Sequence, residues 1–233
     1  MIFILTGAGI SQESGIDTFR DKGGLWRKVR VEDVATPAGF RRDAAKVHRF
    51  YNQRRKELTS SRRVPNAAHL ALAELALTLD RGEVFLVTQN VDDLHERAGS
   101  PEVCHLHGSL LSALCLNCGR RSDWKGDMDR SSSCPKCAQK GGLRPDVVWF
   151  GERPFHFDLV YEMLSRCSLF VSIGTSGAVY PAAGLVGGAK ASGAKTLEIN
   201  VVPTGREKLF DEGLYGPATE MVPLWTEKLI KNK

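Results

Sequence analysis

The stretch Thr88-Gln-Asn-Val-Asp-Asp-Leu-His95, together with the nearby His105-Leu-His-Gly108, concentrates amide, carboxylate and imidazole side chains. The apolar run Val84-Phe-Leu-Val87 precedes it and predicts a buried strand that ends at these polar residues. A second short strand, Val103 to Leu106, leads to His107. Open α/β sheets present ligand-binding groups at the carboxyl ends of their strands. The pattern therefore predicts a candidate reaction centre at two neighbouring strand ends.

Further buried strands are predicted at Ile2 to Leu5, Leu169 to Ile173 and Thr196 to Asn200, separated by helical segments. The main strands end in loops of Gly, Ser, Thr, Asn or Gln. This alternation predicts an α/β fold with a Rossmann-like parallel sheet, helices on both faces and one crevice at the carboxyl edge.

Composition limits the class of protein. The chain has 233 residues, 42% hydrophobic and 25% charged, which suits one large domain or a large domain with a small one inserted. A net charge of +5 is too weak to indicate nucleic acid. No apolar run reaches the roughly 18 residues of a membrane span. Met1 to Leu5 resembles a first strand and not a signal peptide, so we expect a cytosolic protein, and we expect a monomer.

The loop Thr6-Gly-Ala-Gly-Ile-Ser11 follows the first strand, and its glycines would allow close approach to a phosphate. The match to the dinucleotide fingerprint is incomplete, because Gln12 stands where a third glycine is expected. Nucleotide binding and a tight structural turn both remain open on this pattern. The following segment, residues 14–26, contains Phe19 and Trp26; it could be a lid, although a surface loop pinned by two aromatics is favoured.

Two helices follow. Ala44 to Leu58 contains Tyr51 and Arg54, which share a face at spacing i, i+3 and together could bind a carboxylate. The pattern alone favours a solvated Arg54 and a half-buried Tyr51. The second helix, capped by Asn66, contains His69, which we interpret as a packed or capping histidine.

Four cysteines form two Cys-x-x-Cys pairs, Cys115 with Cys118 and Cys134 with Cys137. This spacing favours a Zn²⁺ site over redox use, and four thiolates leave no open position, so the metal would be structural. The chain is then predicted to return to the main sheet, with a short strand from Val147 to Phe150 and an exposed turn at Gly151-Glu152. Such an edge could pair with an extended peptide.

The predicted division of the chain has three parts. Residues 1–26, 65–111 and 146–233 form the Rossmann-like domain, residues 27–64 a helical insert and residues 112–145 a zinc-binding insert. The two inserts together would form a small domain.

The motifs occur in an order that resembles the sirtuins, a family of NAD-dependent protein deacylases, and in particular the bacterial CobB type. The resemblance covers essentially the whole chain, although Asp17 stands where many relatives have proline. The matching segments are Gly7-Ala-Gly-Ile-Ser11, Gly15-Ile-Asp-Thr-Phe-Arg20, Thr88 to His95, His105 to Gly108, the two Cys-x-x-Cys pairs, Gly174-Thr-Ser176 and Glu198-Ile-Asn200.

The resemblance implies an enzyme that moves the acyl group of an acylated lysine to the ADP-ribose of its co-substrate NAD and releases nicotinamide. His107 would be the general base, Asn90 and Asp92 would orient the nicotinamide-ribose, and Phe19 would cover the site. The implied NAD contacts are Gly7, Ala8, Gly9, Ser11, Phe19, Arg20, Gln89, Asn90, Val91, Asp92, Gly174, Thr175, Ser176, Asn200 and Ala218. The implied substrate contacts are Tyr51, Arg54, Val148, Phe150, Gly151 and Glu152. The implied zinc ligands are Cys115, Cys118, Cys134 and Cys137.

The same resemblance reverses the interpretation of the helical pair, because Tyr51-Asn-Gln-Arg54 matches the motif with which one sirtuin subclass binds succinyl and malonyl groups. We therefore expect deacetylation together with removal of acidic acyl groups, on acylated-lysine proteins or peptides and not on nucleic acid or membranes. One alternative is mono-ADP-ribosyl transfer to protein. Another is a non-enzymatic zinc-ribbon module that binds nucleic acid, which the weak net charge opposes.

Overall fold

The structure is a computed structural model that describes residues 1–18 and 29–231. Its strands in chain order are β1 (Ile2–Thr6), β2 (Val84–Thr88), β3 (Cys104–His105), β4 (Gly108–Cys115), β5 (Arg121–Asp123), β6 (Leu143–Val147), β7 (Leu169–Ile173), β8 (Lys195–Asn200) and β9 (Glu212–Tyr215). Six of them form the main sheet in the order β3-β2-β1-β7-β8-β9, and every pairing is parallel. This is the doubly wound order, and it reverses direction between β1 and β7.

The helices of the described residues are α1 (Gly9–Gln12), α2 (Val31–Val34), α3 (Pro37–Arg42), α4 (Ala44–Leu58), α5 (Ala67–Thr78), α6 (Leu94–Arg97), α7 (Phe157–Arg166), α8 (Leu185–Ala191) and α9 (Ala218–Lys231). Alternate residues of β1 point to opposite faces of the sheet, and helices cover both faces. Ile4 packs with the residues of α5 and α9, whereas Phe3 packs with those of α7 and α8. Each fully buried side chain of this size contributes about 1.5–3 kcal/mol. The predicted α/β fold with helices on both faces is confirmed.

The predicted helix starts are also confirmed. The Thr36 hydroxyl accepts a hydrogen bond from the Gly39 amide, and Pro37 stands in the first turn of α3. Asn66 and His69 form a reciprocal capping box at the start of α5, so His69 is a capping histidine as interpreted.

The segment around Val147 differs from the prediction. β6 ends at Val147 and pairs with β4, not with the main sheet, in an antiparallel sheet of order β5-β4-β6. Val148 to Phe150 do not continue the strand, because their amides bond to other parts of the chain. The Val148 amide donates to the His107 carbonyl (2.9 Å) and the Phe150 amide to the Ala35 carbonyl (3.0 Å). The three residues therefore bridge the strand ends and the helical segment.

Helix α4 packs beside this small sheet. Val47, Tyr51 and Leu58 share an apolar cluster with Leu110 and Trp149. The sequence made no prediction for β9 or α9. β9 is a mostly exposed edge strand, and α9 covers the sheet beside α5 through Val222 and Trp225.

Candidate active site

Three glycines bring the loops after β1 and β7 into direct backbone contact at the point where the strand order reverses. A Cβ on Gly9 would lie 2.7 Å from the Gly174 Cα, and a Cβ on Gly174 would lie 2.5 Å from the Ile10 nitrogen. A Cβ on Gly7 would lie 2.9 Å from the Gly174 carbonyl oxygen. The glycines are thus required by packing, and they lie at the crevice where doubly wound sheets bind dinucleotides.

The residues after β2 are locked to the first glycine loop. The Asn90 side-chain amide donates to the Gly7 carbonyl (3.1 Å) and to Ser11 Oγ (3.2 Å). Ser11 Oγ in turn donates to Asp92 Oδ2 (3.1 Å), and Asp92 Oδ1 accepts from the Leu94 amide (3.1 Å). Asn90 and Asp92 are both buried. The amide and the carboxylate are therefore held in fixed orientations before any ligand arrives.

Burial raises the pKa of Asp92 from 3.8 to about 6, although its bonds to the Leu94 amide and the Ser11 hydroxyl oppose the shift. The cost of desolvating the carboxylate exceeds what its hydrogen bonds return. A buried carboxyl with a raised pKa in a crevice is typical of a functional site.

The candidate base His107 lies between β3 and β4, directly before Gly108. Its Nδ1 is 3.1 Å from the carbonyl oxygen of Gln89. A carbonyl can only accept, so Nδ1 carries the proton and Nε2 keeps its lone pair. Burial lowers the pKa of His107, and the bond to the Gln89 carbonyl opposes that shift. The imidazole is therefore neutral and ready to accept a proton at neutral pH.

A layer of buried polar side chains lies at the carboxyl ends of β1 and β2, next to the residues of the candidate site. Thr6 Oγ1 donates to Thr88 Oγ1 (2.8 Å) and lies 3.0 Å from His95 Nε2. The His95 ring packs edge-on to His69 at 4.9 Å between centroids. Burial lowers the pKa of His69 to about 4, so this layer is uncharged at neutral pH.

At the other end of the crevice, Tyr51 and Arg54 of α4 point toward the residues after β6. The Tyr51 hydroxyl accepts a hydrogen bond from the Trp149 indole nitrogen (2.9 Å), which leaves its own proton available to donate. Burial raises the pKa of Tyr51 beyond its usual range, so it stays protonated. Arg54 Nη2 lies 2.7 Å from Glu57 Oε2, one turn further along α4.

Glu152 is engaged within the protein. Both carboxylate oxygens accept from Arg144, at 2.6 and 3.0 Å, and Oε2 also accepts from the Trp149 amide. The Arg144 guanidinium lies 3.4 Å from the centroid of the Trp149 ring. The hydrogen bonds of Glu152 thus hold in place the segment that contains Val148, Phe150 and Gly151.

One cavity of about 700 Å³ joins these groups. Its lining contains the predicted site residues Gly7, Ala8, Gly9, Ser11, Tyr51, Arg54, Gln89, Asn90, Val91, Asp92, His107, Val148, Phe150, Gly151, Glu152, Gly174, Thr175, Ser176 and Asn200. Ala218 is different: it is buried in the core at the start of α9 and is not among the described residues that line the cavity. Phe19, Arg20 and Trp26 lie outside the described residues.

The four paired cysteines come together as predicted. All four Sγ atoms lie within 4.8 Å of one another, with Cys115 to Cys137 at 3.8 Å and Cys118 to Cys134 at 3.9 Å. Tetrahedral Zn²⁺ with Zn–S bonds of about 2.3 Å requires sulfurs about 3.8 Å apart, so this cluster fits one zinc ion. Four thiolate ligands leave no open coordination position, so a zinc ion bound here would be structural.

Comparison with known proteins decides the family. Residues 7–181 match the Sir2 family. The chain belongs to the Sir2 family. The NAD-dependent protein deacylase of Caulobacter vibrioides is 53% identical over 231 residues, covering 98% of this chain and 96% of that protein.

Solved Sir2 structures agree with the fold. A Sir2 homologue in complex with NAD has a TM-score of 0.87 at 39% identity, covering 99% of this chain and 90% of its own. A Sir2 protein bound to the inhibitor EX-527, 2′-O-acetyl-ADP-ribose and a deacetylated p53 peptide has a TM-score of 0.77 at 28% identity, covering 100% and 93%. Among the described residues of this Sir2-family chain, no helix has the length and apolarity to cross a membrane.

Sequence reasoning missed several residues of this Sir2-family site. Thr6 and His95 were visible at the ends of quoted motifs, but only the parallel register of β1 and β2 brings them together. Trp149 and Glu57 also line the cavity and had no assigned part. The i, i+3 spacing of Arg54 and Glu57 on one helix could have predicted that the two side chains form an ion pair.

Proposed function

We propose that this chain is an NAD-dependent protein-lysine deacylase that transfers the acyl group to ADP-ribose and releases nicotinamide. The observation that carries the proposal is the neutral His107 imidazole, fixed by the Gln89 carbonyl, in the same cavity as the glycine loops. The relationship to NAD-dependent protein deacylases over nearly the full chain supports it.

The residues at the point where the strand order reverses, between β1 and β7, fit a dinucleotide. Gly7, Gly9 and Gly174 line the cavity in loops that follow parallel strands, which is where doubly wound sheets bind the phosphates of dinucleotides. Ser176 and Asn200 line the same part of the cavity, and the Asn200 amide is fixed by the Thr175 carbonyl at 2.9 Å. NAD bound there would supply a ribose carbon that reacts with the acyl oxygen as nicotinamide leaves.

The remaining steps belong to the protein. Asn90 and Asp92, locked through Ser11, would orient the ribose next to β2. His107 would take a proton from a ribose hydroxyl through Nε2, so that the hydroxyl oxygen can attack the acyl carbon.

Acylated-lysine peptides are the proposed partners. The segment from Val148 to Gly151 lies on the cavity wall, and its exposed Phe150 suits contact with an extended peptide. The p53 peptide in the related structure supports this class of substrate.

We further propose that the enzyme removes acidic acyl groups as well as acetyl. The Tyr51 hydroxyl and the Arg54 guanidinium both face the cavity and could donate to a terminal carboxylate. Kinetics of wild type and Arg54→Met on matched acetyl- and succinyl-lysine peptides test this. A selective loss on the succinyl peptide is expected, and an equal loss on both would contradict the assignment.

We also propose that residues 27–64 and 112–145 together form a small domain. Its two inserts are tied together, because the Asn52 side chain bonds both the amide and the carbonyl of Met128 at 2.9 Å.

Mass spectrometry of the products tests the main proposal. Acyl-ADP-ribose and free lysine are expected from NAD and an acetyl-lysine peptide. ADP-ribosylated protein as the sole product would favour mono-ADP-ribosyl transfer instead. A titration of NAD at low and at high salt tests the zinc-ribbon alternative. Nucleic-acid binding depends strongly on salt, so NAD binding that changes little with salt would argue against that alternative.

A further inference from the structure

The acyl end of the cavity contains its own carboxylate. Glu57 lies one turn after Arg54 on α4, and both side chains line the cavity. Arg54 Nη2 and Glu57 Oε2 are 2.7 Å apart, and Glu57 Oε1 accepts from the Gln53 amide at 2.9 Å. The guanidinium that would receive an acidic acyl group is therefore already paired.

Several other charged groups that line the cavity have partners of their own. Glu152 is bound by Arg144, and Asp92 is bound by Ser11 and the Leu94 amide. Arg63, which also lines the cavity, packs against the backbone at Gly15. Among the ion pairs of the described residues, Glu57 is the carboxylate that contacts Arg54.

The Arg54–Glu57 pair can exchange partners. The two side chains are 21% and 36% exposed, and a partly exposed pair of this kind is weak enough for another carboxylate to compete with it. A neutral acetyl group carries no charge and cannot replace Glu57 as the partner of Arg54. Without Glu57, the guanidinium would therefore have no carboxylate partner while an acetyl group is bound.

We propose that Glu57 determines acyl specificity as a built-in counter-ion of Arg54. With a neutral acyl group bound, Glu57 keeps Arg54 paired. With an acidic acyl group bound, the acyl carboxylate must displace Glu57 and lie near a like charge. Glu57 therefore favours neutral acyl groups and disfavours acidic ones. This inference rests on the proposed deacylase function and on the proposed contact between Arg54 and acidic acyl groups.

Glu57→Gln is the decisive variant, because it removes the charge and keeps the size and the ability to bond Gln53. On a succinyl-lysine peptide, with saturating NAD, we expect kcat/KM to rise roughly threefold, mainly through a lower KM, which is the size of effect that a partly exposed ion pair gives. On the matched acetyl-lysine peptide we expect kcat/KM to fall roughly twofold, because Arg54 is left unpaired. The opposite directions separate a specificity role from a general loss of structure.

The matched control is Glu162→Gln, which breaks an i, i+4 pair with Arg166 on the surface of α7. It should leave the ratio of succinyl to acetyl activity unchanged. Gln53→Ala, which removes the second donor to Glu57, should move the ratio in the same direction as Glu57→Gln and by less. Thermal unfolding of each variant verifies that it is folded.

The outcomes separate the two levels of the proposal. If Arg54→Met selectively loses succinyl activity but Glu57→Gln leaves the ratio unchanged or lowers it, the counter-ion role is wrong and the proposed acyl contact stands. If Arg54→Met affects both peptides equally, the acyl contact fails and the inference fails with it. If wild type turns over neither peptide, the proposed function itself fails.

Discussion

Replacing Asp92 with asparagine should make the protein more stable and less active. Asp92 is 6% exposed, and its pKa is raised from 3.8 to about 6 because burial penalises the charged form. A raised carboxyl pKa favours the folded state below pH 3.8, and this contribution is lost as the pH rises through about 6. At pH 7 the ionised carboxylate therefore costs about 3 kcal/mol of unfolding free energy.

Asparagine removes that cost and retains the essential bonds. Its side-chain oxygen can accept from the Leu94 amide, and its amide can donate to Ser11 Oγ. We expect Asp92→Asn to raise the unfolding free energy at pH 7 by up to about 3 kcal/mol, which is about 6–10 °C in Tm for a chain of this size. The gain should shrink to about half at pH 5 and to about a fifth at pH 4.

Urea unfolding of wild type and Asp92→Asn between pH 4 and pH 7 measures this difference. Asp158→Asn is the control, because Asp158 is 89% exposed and its contact with Arg153 is a surface pair, so its effect should stay within about 0.5 kcal/mol. Deacylation by Asp92→Asn should fall with a raised KM for NAD if the carboxylate orients the ribose. A less stable Asp92→Asn at pH 7, or a gap that does not narrow toward pH 4, would refute the reasoning.

Four further outcomes are expected. His107→Ala should lower kcat by about 10²–10⁴ with little change in Tm, measured by peptide deacylation and thermal unfolding, and near-wild-type turnover would remove His107 as the base. Because burial lowers the pKa of His107, the acidic limb of kcat/KM should lie below pH 6.5, and a limb above that value would contradict the assignment. Cys134→Ser should abolish bound zinc by metal analysis and open the insert between Cys118 and Cys134 to limited proteolysis; unchanged zinc content would refute the four-cysteine site. Arg55→Met should lower the unfolding free energy in urea by about 3 kcal/mol, because buried Arg55 donates to the carbonyls of Leu110 and Gly126, and a loss below 1 kcal/mol would show that these acceptors are satisfied otherwise.

Local sequence predicted those parts of the fold whose causes are local. The caps at Thr36 and Asn66, the run without Gly or Pro in α4 and the apolar strand before Thr88 each act within a few residues, and the structure confirms them. The short strand β9 escaped prediction because Glu212-Gly-Leu-Tyr215 is neither strongly apolar nor alternating. The segment after Val147 was misplaced because its amides bond to His107 and Ala35, which are distant in sequence.

The candidate site shows the same division. The sequence by itself determined which groups are present: the glycine loops, the amide and carboxylate after β2, His107, the Tyr51 and Arg54 pair, and four thiols at zinc spacing. Residue type and spacing predicted the polar cluster and the four-thiol site, whereas the roles of His107 and of the Tyr51 and Arg54 pair were implied by the family resemblance.

Only the tertiary structure decided the state of those groups. The parallel register of β1 and β2 sets Asn90 and Asp92 against Ser11, and the resulting burial raises the pKa of Asp92. The fold also brings the Gln89 carbonyl to His107 Nδ1, which selects the tautomer. Charge state and hydrogen-bond partners depend on what distant segments place around a side chain, and no local pattern contains that information.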